Sequence, residues 1–167
     1  LLSALKRYDE AEDAYRKAIE FNPEDADTYY NLGLLLKVTK RYDEAEESYR
    51  KAIEFNPEDA DTYYDLGLAC QLQDKFKESL ANYYKAIELK EDHGIAHMSL
   101  FGLLKKLRKK DEAKEHEKIA HKLIKKDDEY NRACFESLCG NVDEALALLK
   151  IAIEKELSDK EWAKEDP

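Results

Sequence analysis

Glycine, proline and cysteine are scarce in this chain, at five, three and three residues of 167, and methionine and tryptophan occur once each. So little glycine and proline suits long helices with few breaks. Cys70, Cys134 and Cys139 are too few, and odd in number, for a disulfide framework, which points to a reducing, cytoplasmic setting. No apolar run nears the ~18 residues that would predict a membrane span. Positive charge is not in excess either. A net charge of −10 argues against nucleic acid or an anionic membrane as the partner of the whole chain. No initiator methionine precedes Leu1, so the chain reads as a fragment or processed form, and the missing leader peptide says little.

What is there is charge and repetition. Charged residues make up 40% of the sequence, a composition that suits solvated helices. The stretch Arg41 to Gly67, RYDEAEESYRKAIEFNPEDADTYYDLG, repeats Arg7 to Gly33 at an offset of 34, with changes only at Asp13/Glu47, Ala14/Ser48 and Asn31/Asp65. A period of 34 predicts a stacked array of helix pairs, whose units bury a core only against their neighbours. Ala11, Tyr15, Ala18 and Ile19 fall on one helical face between Tyr8 and Phe21, and LLSALK before them reads as the tail of an earlier helix. Asn22-Pro23 ends that helix, and Asp25 is placed to cap the next. From Ala26 to Thr39, Tyr29, Leu32, Gly33 and Leu36 form a packing face, answered by Ala45, Tyr49, Ala52 and Ile53 on the helix ending at Phe55. Gly33 and Ala45 are expected where the two helices approach closely, with Tyr29 and Tyr49 filling wider gaps.

The set Tyr29, Leu32, Gly33, Ala45, Tyr49, Ala52 and Pro57, repeated as Tyr63, Leu66, Gly67, Ser79, Tyr83 and Ala86, resembles the tetratricopeptide repeat. The resemblance implies an all-α, right-handed solenoid of antiparallel helix pairs. It divides the chain into a partial repeat at 1–25, repeats at 26–59 and 60–93, a divergent one at 94–125, a fourth at 126–158 and the start of a further or capping helix at 159–167. In the divergent repeat His97 stands at the aromatic position, Phe101 at the glycine and Glu117 at the second aromatic, so Phe101 is expected to push the pair apart or rotate it. From Phe101 to Ala133 is 32 residues, which places a two-residue deletion near Lys125. Gly140-Asn141 supplies the last turn, and Ser158-x-x-Glu161 reads as a capping box opening a new helix that carries Trp162.

Chemistry-bearing motifs are absent. Cys134 and Cys139 are five apart and read as core filler. His93 and His97, four apart, would share a helix face but find no third metal ligand nearby. Glu46-Glu47 reads as part of a solvated face. No phosphate-binding glycine loop, nucleophile elbow or HExxH occurs, so no enzyme, cofactor or metal is expected.

Two features remain. The resemblance implies that the first helix of each pair lines a groove that takes a protein or peptide partner. Its residues here would be Tyr30, Asn31, Leu34, Tyr64, Asp65, Leu68, Met98, Tyr130, Asn131 and Cys134. Each tyrosine either anchors a partner or packs on the neighbouring repeat, and both readings stay open. The carboxylate-holding set of chaperone-tail-binding relatives is not assembled, since Tyr30 and Leu34 occupy its sites and Asp65 would repel a carboxylate. The second feature is the basic run 105–126, where ten Lys or Arg face four acids. Lys114, Lys118 and Lys122 recur at i, i+4, a solvated face or a patch for an acidic partner. A scaffold is therefore expected, with self-association through exposed array ends as the alternative.

Overall fold

The computed structural model describes the backbone of residues 2–124 and 129–165, and the side chains of 7–124 and 129–156. Every regular element among them is a helix: α1 (Leu2–Phe21), α2 (Ala26–Val38), α3 (Tyr42–Phe55), α4 (Ala60–Leu72), α5 (Phe76–Leu89), α6 (Gly94–Lys106), α7 (Lys110–Leu123), α8 (Glu129–Cys139) and α9 (Val142–Glu165). None of the described helices is long and apolar enough to cross a membrane. The all-α class expected from the sequence is what the structure shows.

The turn inside each helix pair is marked by one left-handed residue: Lys40 (φ 63), Asp74 (φ 56), Arg108 (φ 61) and Gly140 (φ 94). The first three are 34 residues apart and the last follows after 32. This fixes the register of the divergent repeat and puts the shortening after Arg108; residues 125–128, where the deletion was expected, lie outside the described residues. Thr39 helps close the first such turn by donating its hydroxyl to the Leu35 and Leu36 carbonyls, each at 3.0 Å.

The chain forms two compact units, 1–96 and 97–167. In the first, each helix from α1 to α5 packs on the next, and α2 also meets α4. Leu32, Leu36, Ala45, Tyr49, Leu66, Ala69 and Cys70 form one core cluster, with Tyr15, Ile19 and Tyr30 against it. At Gly33 and Gly67 the close approach is made chiefly to a ring, with the Ser79 carbonyl also 3.3 Å from a Cβ placed on Gly67. A Cβ there would meet the Tyr49 ring at 2.6 Å, and one on Gly67 would meet the Tyr83 ring at 2.7 Å, so each glycine is a slot for a ring. Tyr29 stacks on Phe55 instead, centroids 5.8 Å apart. Ala18 is exposed although its equivalent Ala52 is buried, because α3 is flanked by both α2 and α4 while α1 packs mainly on α2.

In the second unit the slot is reversed. Phe101 is buried where Gly67 would be, and Glu117 stands where Tyr83 would be; both line one cleft with Ala113. The ring comes from the other helix of the pair, so it need not push that pair apart. Phe101 tilts against Phe135 at 6.0 Å, and Gly102 makes room for Leu138.

Three local expectations are corrected. LLSALK is not a separate helix tail: α1 runs unbroken from Leu2, since no glycine, proline or Thr39-like cap interrupts it. The helix expected to open near Ser158 is the continuation of α9, which reaches Glu165 with no glycine or proline to stop it. Asp25 occupies the N-cap position of α2 but accepts no amide; it takes the Thr28 hydroxyl, whereas Asp59 accepts from the Asp61 and Thr62 amides at 3.2 Å.

Candidate functional site

The residues expected to line a groove divide by burial. In the first unit, Asn31 is exposed, and Tyr30, Leu34, Tyr64 and Leu68 are half-buried. Asn31 and Leu34 line a cleft of about 580 Å³ with Tyr8, Tyr15, Leu35 and Val38. Val38 is 58% exposed there, so the cleft has an open apolar wall beside a polar amide.

Asp65 is buried, and its neighbours explain why. It replaces the Asn31 of the preceding repeat, and the Tyr30 hydroxyl donates to its Oδ2 at 3.0 Å while the Lys37 ammonium binds Oδ1. The carboxylate thus ties α2 to α4. Burial, then the Asp65 charge, pushes the Tyr30 phenol above its ordinary value, so it stays a donor. The Tyr64 ring lies 5.9 Å from Tyr83 and 5.3 Å from His93.

His93 does not share a helix face with His97. It sits just before α6 and caps it, its Nδ1 accepting from the Ala96 amide at 3.3 Å. Its Nε2 lies 3.1 Å from Asp61 Oδ1, yet burial outweighs that carboxylate and holds the imidazole below its usual pKa. His97 pairs instead with His116, their Nδ1 atoms 2.9 Å apart, an arrangement that accommodates one bridging proton. Burial, then His97, lowers the His116 pKa.

Glu46 is not on a solvated face. It is 4% exposed, and its Oε2 accepts from Gln73 Nε2 at 3.0 Å and Lys75 Nζ at 2.9 Å, while Arg50 binds Oε1. Burial pushes its carboxyl up, but Lys75, Arg50 and Gln73 together reverse the shift. Glu46, Cys70 and Glu78 bring potential ligand atoms within 4.8 Å of one another, the one such group among the described residues. Arg50 and Lys75 already hold these carboxylates, and burial, then Glu46 and Glu78, raises the Cys70 thiol to about 11. This is a poor metal centre and an unreactive thiol.

In the second unit, Met98 is 7% exposed and presents no open anchor. α6 is mostly apolar up to Leu104, and Leu100, Leu103 and Leu104 are buried with Met98, while Lys105 and Lys106 at its end are exposed. Tyr130 is 61% exposed, and Asn131 and Cys134 are half-buried. Cys139 is also half-buried, its thiol pushed up to about 11 by burial, then by Glu117 and Glu136. From the basic run, Lys105 lies over the Phe101 ring and donates to the Leu138 carbonyl, and Lys109 pairs with Glu112 at 3.2 Å. Lys114, Lys118 and Lys122 are exposed on α7 and form no ion pair among the described residues.

Sequence reasoning missed the Asp65 link, though Asn31/Asp65 was one of the three differences between the first two repeats. It also missed the exposed Val142 and Leu146 on α9, 59% and 60% accessible.

Comparison with known proteins agrees with the repeat fold. Family models described as tetratricopeptide repeat match residues 26–59 and 48–81, and one described as TPR repeat matches 2–37. No curated protein matches the sequence significantly. Among solved structures, MamA is 23% identical, with 95% of this chain and 94% of MamA covered at a TM-score of 0.69, a likeness of fold. YrrB, a TPR protein with an unusual peptide-binding site, is 28% identical over 92% of this chain and 80% of its own, at 0.64. MamA from residue 41 to its end, from Desulfovibrio magneticus RS-1, is 27% identical over 73% of this chain and 69% of its own, at 0.63. With its 34-residue period, its recurring left-handed turns and these matches, the chain belongs to the tetratricopeptide-repeat family.

Proposed function

We propose that the chain is a non-catalytic docking scaffold whose first helices bury a segment of a partner protein. The carrying observation is the cleft at Asn31 and Leu34, where an exposed amide stands beside an apolar floor. Clefts of this composition bind through apolar contact and take their orientation from a few polar groups. Asn31 would bond the partner backbone, with Tyr30, Leu34, Tyr64 and Leu68 as contact surface in the first unit; Tyr130, Asn131 and Cys134 would be contact residues of the second unit by itself. Asp65 and Met98 act by holding the framework. YrrB, similar over most of both chains, supports a peptide as the bound form. The free thiols of Cys70, Cys134 and Cys139 suit a reducing compartment such as the cytoplasm.

A photo-reactive residue in place of Asn31, compared with one in place of the exposed Lys51, tests this in the intact chain. A specific partner cross-linked from position 31 alone supports the groove. Equal capture from both positions contradicts it.

A second reading rests on Lys114, Lys118 and Lys122, exposed and without ion pairs among the described residues. Such a face suits an acidic partner, whose binding would weaken steeply with salt. Self-association is the third reading, favoured by the open apolar residues Tyr8, Val38, Tyr130 and Leu146. Light scattering of the intact chain decides it.

A further inference from the structure

Tyr130, Val142 and Leu146 are among the most exposed large apolar side chains described, yet with Cys134, Leu138 and Leu149 they line one cleft of about 520 Å³ between α8 and α9. The chain itself indicates what fits there. Superposing the small residues Gly33 and Ala133 in sequence puts Tyr130 on Tyr30, Ser137 on Lys37 and Leu146 on Glu46. In the first unit that same face is occupied by a helix. α4 lies on it, with Asp65 accepting from the Tyr30 hydroxyl at 3.0 Å and Gln73, just past its end, donating to Glu46 at 3.0 Å. Between them Leu66, Ala69 and Cys70 enter the core beside Leu36, Ala45 and Tyr49.

On α8 and α9 the tyrosine is kept while both charged residues are replaced, by Ser137 and Leu146. The Tyr130 hydroxyl has no hydrogen-bond partner among the described residues. The seat therefore retains its phenolic donor, with Leu149 where Tyr49 stands in the first unit, and its far end has become apolar.

We propose that this cleft seats one amphipathic α-helix of a partner protein. That helix carries a hydrogen-bond acceptor facing Tyr130, small residues four and five positions later, and an apolar residue eight positions later facing Leu146. This spacing is that of Asp65, Ala69, Cys70 and Gln73, with the last made apolar. Among the described helices, a second copy of this chain supplies none with this spacing. α2 and α4 place Thr39 and Gln73 opposite Leu146, and α6, which has Ser99 and Leu107 at the two positions, keeps Leu100, Leu103 and Leu104 buried in its own fold. The seat shares Tyr130 and Cys134 with the proposed groove, but Val142, Leu146 and Leu149 lie outside that set, so the two readings fail separately.

The probe is a hydrocarbon-stapled, fluorescein-labelled peptide copying residues 60–73 with Cys70→Ala and Gln73→Leu, titrated with the intact chain by fluorescence anisotropy. The seat predicts saturable binding that Leu146→Asp weakens at least tenfold and Tyr130→Phe several-fold, and slower reaction of the Cys134 thiol with a thiol reagent once the peptide is bound. Leu146 is exposed, so Leu146→Asp is expected to fold, as circular dichroism would check. Absence of saturable binding by a peptide shown to be helical overturns the proposal. So does binding that Leu146→Asp leaves intact. A dimer that Leu146→Asp dissociates would place a second copy in the cleft and overturn the assignment of a partner helix.

Discussion

Gly33 and Tyr49 fit as slot and ring: a Cβ on Gly33 would lie 2.6 Å from Cε1 and 2.7 Å from Cδ1 of a tyrosine that is wholly buried. Tyr83 is equally buried over Gly67. Neither ring can swing aside into solvent, so an added side chain must displace the helix that carries it. Gly33→Ala is expected to cost about 1–3 kcal/mol by overpacking, and Gly33→Leu more. Urea denaturation measures it, and an unchanged midpoint would show that the ring yields freely.

The tyrosines of the second repeat should rank by burial. Tyr83 is fully buried and its hydroxyl donates to Gln71 at 3.0 Å, so Tyr83→Ala should cost about 3–5 kcal/mol. Tyr63 fits the family packing pattern but is only half-buried, as is Tyr64. Each should therefore cost less than Tyr83 on truncation. A Tyr63→Ala loss as large as that of Tyr83→Ala would contradict the packing described.

The Asp65 link should be measurable as a pair. Asp65→Asn keeps an acceptor for Tyr30 but leaves the Lys37 ammonium largely buried without its counter-charge. A loss of about 1–3 kcal/mol is expected, partly recovered when Lys37→Met is added. Strict additivity of the two changes would mean that Lys37 and Asp65 do not interact.

Acid should loosen the second unit before it reaches the carboxylates. The folded His116 pKa lies below its unfolded value, so the unfolded chain takes up more protons as pH falls through about 6.5. The stability contributed is full above that pH and declines below it; His93 contributes with the same sign in the first unit. The melting temperature should drop between about pH 7.5 and 5.5, and less so in His116→Gln. Equal drops in parent and variant would remove His116 from the account.

Much of this fold was legible because the repeat is written into the chain at a fixed interval, and a small residue facing a ring recurs with it. The turns were partly legible. Gly140-Asn141 announces a left-handed residue, but Lys40, Asp74 and Arg108 adopt the same conformation with no such signal, because the helices on either side impose it. Glu46 looked like any solvated acid. Its burial depends on Gln73 and Lys75, which reach it from 27 and 29 residues away. The site was harder still. Tyr30 and Asp65 both fall on the face assigned to a partner, yet they bond each other, and no local pattern separates a residue that meets a ligand from one that meets the next repeat.

The central claim is that the Asn31–Leu34 face docks a partner segment. Once that partner is in hand, calorimetric titration against the parent chain, Asn31→Ala, Leu34→Ser and, as a control outside that cleft, Lys51→Ala is the direct measurement. The account predicts that each groove substitution weakens binding by about 1–2 kcal/mol while Lys51→Ala leaves it unchanged. Equal affinities for the parent and both groove variants would contradict it.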